Sequence, residues 1–325
     1  MSAALALSLD APRTETSAAP HTLHAPDRTW PETNCYVDLW IELLHLRGLE
    51  PEAMLGFTLR QDFEGDQFTF FKPKAADLEA LYGLEILELA LYEDLESHAR
   101  VQAERGLPVL VEVNAFFLPD TAGTTYRREA SKTTVGILAL DPRERRLDYL
   151  HNAGRFALSG EDYDGLFARG ELLPYAEFVK PCGPALAGPE LAGAALALLR
   201  RHRAHAPSAN PVTAFRAALA GKDDAFVQRP LSAFHAYAFN TTRQLGANFE
   251  LLGSHLAWLT AQGAGSFDEA AEAATRLSQE AKAFQFQLAR AYARGKLVGL
   301  PERLAGAEAT YAAVFQALDR ALAAG

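Results

Sequence analysis

Cys35 has the neighbours that thiol chemistry requires. It follows Asn34 and opens the run Cys35-Tyr-Val-Asp-Leu-Trp-Ile-Glu-Leu-Leu-His-Leu-Arg47, whose apolar residues recur on a helical period until Gly48 stops it. A thiol in the first turn of a helix meets the positive end of the backbone dipole and amide N–H groups that lack an intrahelical acceptor. Both favour the thiolate, the form that attacks carbonyls and thioesters. Asn34 can cap the helix or offer its amide to a developing oxyanion; Asp38, one turn on, repels a thiolate modestly. The competing reading of Cys35 is a buried structural thiol. Cys182, between Pro181 and Gly183-Pro184, reads as linker. With 2 cysteines and no CxxC pair, neither a disulfide framework nor a cysteine zinc site is supported, and no metal or cofactor is expected.

The elements that position this residue divide the chain in two. Residues 1–28 are rich in Ala, Ser, Thr and Pro without a sustained period and read as a disordered tail. Residues 29–180 read as an α+β domain with an antiparallel sheet. A helix begins at Cys35, and a turn at Asp62-Phe-Glu-Gly-Asp66 leads into a strand at Gln67–Lys72. A helix then covers Glu93–Arg105, and strands follow at Pro108–Leu118, Thr133–Leu140 and Arg146–His151. After Pro181-Cys-Gly-Pro184 the strands stop, and residues 185–325 read as an all-α bundle. Its helices are placed at Leu191–Arg203, from Asn210-Pro211, along Pro230–Gln262, after a capping box at Ser266-Phe-Asp-Glu269, and from Pro301.

On the long helix, Asn240, Gln244, Asn248 and His255 make a polar stripe beside an apolar seam of Leu245, Phe249, Leu252, Leu256 and Leu259. Gln244 and Asn248, with Arg243 and with Lys282 on the next helix, are candidate substrate-binding residues; a solvated or interhelical hydrogen-bonding flank is the plainer reading. Two basic clusters stand out in a chain of net charge −10: Arg200, Arg201 and Arg203 on a helix, and Arg143, Arg145 and Arg146 at a turn. Either could dock an acidic protein. The overall acidity argues against nucleic-acid binding, and no apolar run approaches the ~20 residues of a membrane span. The uncharged start, Met1–Leu9, does not read as a secretory signal, so the cytoplasm is the expected location.

Asn34-Cys35-Tyr-Val-Asp-Leu-Trp40, Asp62–Pro73, Leu118-Pro-Asp-Thr-Ala-Gly123, His151-Asn-Ala-Gly154 and Arg243–Glu250 resemble the domain of unknown function 1839 family over nearly the whole chain beyond the tail. More distantly, residues 34–167 are similar to the N-terminal domain of butirosin-biosynthesis-type acyltransferases. Those enzymes have a papain-like fold and move an aminoacyl group off a carrier protein. That similarity implies Cys35 as nucleophile and Asn152 as the residue orienting a catalytic histidine. The histidine itself belongs around Ala130–Thr133, which here reads Ala-Ser-Lys-Thr. Two residues could compensate: His151, pointing in from the neighbouring strand, or Lys132, holding a thiolate by charge. The expectations are therefore a cysteine-dependent acyl- or aminoacyltransferase using an acyl carrier protein, a catalytically silent binding protein on the same fold, and, third, a cysteine peptidase or amidase.

Overall fold

Strand-forming residues concentrate between 84 and 181, and there the chain builds a sheet. In the computed structural model, which describes residues 19–168, 170 and 173–324, the first elements are α1 (Cys35–Leu46), α2 (Ala75–Tyr82), β1 (Leu84–Glu88), α3 (Leu95–Glu104), β2 (Val109–Asn114), β3 (Lys132–Asp141), β4 (Arg146–His151), β5 (Gly154–Ser159), α4 (Glu161–Phe167) and β6 (Ala176–Pro181). Helices follow: α5 (Gly188–Arg203), α6 (Pro211–Ala220), α7 (Asp224–Val227), α8 (Leu231–Ala238), α9 (Gln244–Ala261), α10 (Asp268–Arg294) and α11 (Ala305–Ala324). The protein is α+β. Its six strands pair antiparallel throughout in the order β1-β6-β2-β3-β4-β5.

The chain forms two compact units. A sheet unit contains residues 19–22, 34–49 and 83–184, and a helical unit contains residues 23–33, 50–82 and 185–324. The change from strands to helices falls after Pro181, but residues 23–33 and 50–82 pack with the helices although they precede the sheet in sequence. Of the expected tail, residues 1–18 lie outside the described residues. Residues 22–24 form a 3-10 turn that buries Leu23 and His24.

The sheet unit buries both faces of its sheet. On one face Val109, Val111, Val113, Val135, Ile137, Leu147, Tyr149 and Leu158 pack with Leu95 and Ala99 of α3 and with Tyr163 and Leu166 of α4. On the other, α1 crosses β3, β4 and β5. Gly136 permits that approach: a Cβ there would stand 3.3 Å from Leu39 Cδ1. Strands β1, β5 and β6 are additions to the sequence reading. The expected strand at Gln67–Lys72 is absent. Only a Phe63–Phe68 bridge forms, because the Phe68 N–H donates to the carbonyl of Asn240 rather than to a ladder.

In the helical unit, α8 and α9 are one continuous helix interrupted by a π-helical turn at Phe239–Arg243. The apolar seam of Leu245, Phe249, Leu252, Leu256 and Leu259 is buried as expected. The Ser266 capping box is replaced by another device: Phe267 is the N-cap of α10, and its N–H donates to Thr260 Oγ1 at 2.9 Å.

Candidate functional site

The sequence places Cys35 at the first position of α1, and the structure builds the cap that holds it there. Asn34 is extended (φ −141°, ψ 152°), and its Oδ1 accepts the Val37 N–H at 3.0 Å. Asn34 is therefore a buried helix cap, and the side-chain oxygen is already engaged. The Cys35 thiol is half-buried and lies 3.8 Å from the Thr134 hydroxyl on β3.

Successive strand side chains point to opposite faces, so Thr134 shares the α1 face with Lys132 and Gly136. The same register puts Glu112 opposite Thr134. Lys132 is not poised over the thiol: its Nζ pairs with Glu112 Oε1 at 2.6 Å, and its side chain is 72% exposed. Across β6, Glu177 accepts the hydroxyls of Tyr36 at 2.9 Å and Tyr175 at 2.8 Å. Burial, then the Glu177 carboxylate, raises the Tyr36 phenol above its ordinary range, and Tyr175 is pushed up to about 12. Both phenols stay neutral. This face therefore carries two carboxylates, two neutral phenols and a lysine paired with one of the carboxylates.

His151 faces the other way. It sits two residues from Tyr149 on β4, and both point into the α3-side core. Its Nε2 lies 2.8 Å from Thr133 Oγ1, and its Nδ1 lies 2.5 Å from Asp120 Oδ2. The Tyr149 hydroxyl donates to Asp120 Oδ1 at 2.5 Å. Only 2% of the His151 side chain and 5% of that of Asp120 are exposed. Burial and the Asp120 charge raise the Tyr149 pKa, which keeps the phenol protonated as a donor. The expectation that His151 serves Cys35 is corrected: Thr133 and Thr134 are consecutive, so the imidazole and the thiol are on opposite faces of β3.

Asn152 does not orient the histidine either. β4 ends at His151 and β5 begins at Gly154, so Asn152 opens a two-residue hairpin turn at φ 45°, a conformation that Asn tolerates well. The residue that orients His151 is Asp120, from a 3-10 turn at Pro119–Thr121. Asp120 and Thr133 were missed. The signal was Leu118-Pro-Asp-Thr-Ala-Gly123, where Pro opens a turn, but nothing local shows which strand the Asp will reach.

A cleft of about 680 Å³ opens at the end of β2 and the start of β3, with Glu112, Asn114, Ser131, Lys132 and Phe117 among its lining. Cys35 is not part of the lining. Lys132 is two residues from Thr134, about 7 Å along the strand.

The bundle candidates have structural partners. Asn248 is fully buried and donates to the carbonyl of Thr58 at 3.0 Å; His255 Nδ1 lies 2.7 Å from the carbonyl of Glu52. The buried Gln61 donates to the carbonyl of Gln244 at 3.0 Å. The polar stripe thus serves a 3-10 helix at Pro51–Arg60 packed along α9, and Asn240 donates to Ala236 of its own helix. Gln244 is buried with both side-chain amide atoms unpartnered. Burial pushes His255 down to about 4. Arg243 donates to the carbonyls of Thr33 and Glu32, each at 2.9 Å, and Lys282 Nζ sits 3.9 Å from the centroid of Trp30.

Most of the arginine clusters are spent internally. Arg201 pairs with Asp77, Arg203 with Asp319, Arg145 with Asp164 and Arg146 with Asp148. The Arg143–Arg146 turn lies beyond the far end of β3, at least seven residues or about 23 Å from Thr134. Cys182 is exposed, and its N–H donates to Gly83. Among the described residues no cluster of three or more His, Cys, Asp or Glu could hold a metal ion, and no helix is long and apolar enough to cross a membrane.

These features define an α+β protein with a helix-start thiol on one sheet face and a buried hydroxyl–imidazole–carboxylate relay on the other. The DUF1839 N-terminal domain matches residues 19–181, and the DUF1839 C-terminal domain matches residues 188–320. The chain belongs to the DUF1839 family. A search of curated proteins finds no match.

Proposed function

We propose that this protein is an acyl- or aminoacyltransferase that takes its acyl group from a carrier-protein thioester onto Cys35, on a papain-like scaffold. The observation that carries the reading is the half-buried thiol in the first turn of α1, on a face without the sheet's histidine. Sγ attacks the thioester carbonyl, and the Cys35 amide N–H stabilises the oxyanion. The carrier thiolate leaves and takes up the proton released by the thiol. An acceptor amine then attacks the enzyme thioester, forms the amide, and returns a proton to Cys35.

The missing imidazole selects among reactions. A thiolate is a good leaving group and needs no proton donor, and a cysteine is partly ionised at neutral pH without help. An amine expelled from a peptide needs a proton in the transition state. The site therefore suits thioester exchange better than peptide or amide hydrolysis. Glu112 would receive the ammonium of an aminoacyl group in exchange for its ion pair with Lys132. Docking of a carrier through Arg201, Arg203, Arg145 or Arg146 would have to compete with their internal ion pairs.

A second reading, a catalytically silent binding protein for a carrier or small molecule, rests on Thr134 standing beside Sγ and on the engagement of His151 elsewhere. One experiment separates the two. The protein is incubated with aminoacyl-loaded carrier protein and with an aminoacyl N-acetylcysteamine thioester, and intact mass is measured. An acyl adduct absent from Cys35→Ala supports transfer. No adduct, together with alkylation of Cys35 no faster than a free cysteine, leaves the binding reading.

A further inference from the structure

Among the described residues, the helical unit contains a pair of cations that form no ion pair with a carboxylate. Trp30 is the centre of the arrangement. Its indole packs against α9 at Gly246, where a Cβ would come within 2.5 Å of Nε1, so only glycine fits. Nε1 donates to Ser278 Oγ of α10 at 3.1 Å. Lys282, one turn beyond Ser278, places Nζ 3.9 Å from the ring centroid. Arg243, one turn before Gly246, is close enough that its charge, after burial, lowers the Lys282 pKa.

Arg243 is fixed, not floating. Nε and one Nη donate to the carbonyls of Thr33 and Glu32, each at 2.9 Å, and the guanidinium stands 5.7 Å from the Phe239 ring. Its place falls in the π-helical turn, an insertion often found where a helix carries a functional side chain. The carboxylate that acts on Lys282 is Glu250, and it is committed. It accepts the N–H groups of Thr29 and Trp30, each at 2.9 Å, and faces Arg28 at 3.7 Å. Among the described residues no carboxylate forms an ion pair with Lys282 or Arg243. A third donor is at hand. Gln285, one turn beyond Lys282, uses Oε1 to accept the Thr242 hydroxyl at 3.0 Å, which leaves its amide NH2 to donate.

We propose that Lys282, over the Trp30 ring, and Arg243, over the Phe239 ring, form with Gln285 a binding site for an oxyanion: the carboxylate or phosphate group of a small ligand. Two like charges held together on rigid helices repel one another, and an anion between them relieves that repulsion and replaces lost hydration. Arg243 supplies a guanidinium already oriented by two backbone carbonyls, and Lys282 supplies a point charge that ring contact holds in place. The site does not depend on Cys35 and stands or falls separately from the transferase reading.

The test is calorimetric titration of the full chain with inorganic phosphate and, separately, with acetate, using chloride at equal ionic strength as the control. Binding of one anion beyond the chloride control is expected, and which one binds identifies the source of the oxyanion. Lys282→Met, which keeps the aliphatic contact with Trp30, should weaken binding tenfold or more, whereas Lys282→Arg should stay within about threefold of the parent. Denaturation midpoints of both variants near the parent's establish that they fold. No binding of either anion by the parent up to about 50 mM would overturn the proposal, as would unchanged affinity in Lys282→Met.

Discussion

Thr133 and Thr134 are neighbours on one strand, and they belong to different chemistries. Thr133 turns its hydroxyl to a buried imidazole that is itself held by a carboxylate. Thr134 turns its hydroxyl to a half-buried thiol at the start of a helix. A cysteine, a histidine and an aspartate all lie within the sheet unit, yet the two-residue period of β3 puts the sheet between the first and the other two. A nucleophile and a base can be close in sequence register and still be unable to exchange a proton. On the His151 face a carboxylate and a hydroxyl hold the imidazole; on the Cys35 face the half-buried thiol meets the Thr134 hydroxyl in place of an imidazole.

The largest effect should come from breaking the buried side of the comparison. Asp120→Ala removes the acceptor for both His151 Nδ1 and the Tyr149 hydroxyl and leaves two buried polar groups unpaired. A loss of about 3 kcal/mol or more in urea denaturation is expected. Thr134→Ala on the Cys35 face removes only a weak contact with Sγ and should cost about 1 kcal/mol or less. Equal losses would mean that the two faces are not partitioned into structure and site.

A second buried imidazole sharpens the point. His255 has a carbonyl for a partner instead of a carboxylate, and burial lowers it from 6.5 to about 4. Because the folded value is depressed, the unfolded chain binds more protons between those two values, and stability falls as pH drops from about 6.5 towards 4. The full shift corresponds to about 3 kcal/mol, at 1.36 kcal/mol per unit. His255→Gln should flatten the slope of the denaturation midpoint against pH in that window. An unchanged slope would assign the acid sensitivity to other groups.

How much of this was legible beforehand depended on the range of the interaction. Asn34 before Cys35 is a local signal, and the cap and the helix form as the residues imply. β4 was readable from Arg146 to His151 because its apolar and polar residues alternate after a charged turn, whereas the turn at Asn152 was not. Asp120 was not readable as the partner of His151: the contact spans 31 residues and depends on strand pairing. The stripe at Gln244, Asn248 and His255 had the pattern of a solvated flank. Its purpose came only with the 3-10 helix at 51–60, whose carbonyls Asn248 and His255 meet. The π-helical turn leaves no trace in periodicity, since one extra residue within a long amphipathic helix shifts the pattern less than the width of its apolar stripe.

The Cys35 face can be tested by giving it what the other face has. Thr134→His would place an imidazole beside Sγ, on the correct side of the sheet. An imidazolium next to a thiol lowers the thiol pKa. Alkylation of Cys35 by iodoacetamide at pH 7 should then rise roughly tenfold, short of the full gain in thiolate because nucleophilicity falls with pKa. A rate unchanged from the parent, in a variant that keeps its denaturation midpoint, would mean that the helix start rather than a missing base sets the reactivity of the thiol.

The smallest effect concerns Lys132 and Glu112. Their ion pair is largely exposed, and removing it should change stability by less than about 0.5 kcal/mol. The readout that discriminates is again the thiol. Glu112→Gln releases Lys132 from its carboxylate and leaves an uncompensated cation two residues along the strand from Thr134, so alkylation of Cys35 at low salt should quicken by about two- to threefold. Lys132→Met does the opposite: it leaves Glu112 unpaired opposite Thr134 and should slow the reaction by a similar factor. Both changes should shrink as salt is added, because exposed charges at this separation are screened over about 10 Å at 0.1 M. Opposite signs in the two variants would place Cys35 within the field of this pair; identical rates would detach the thiol from it.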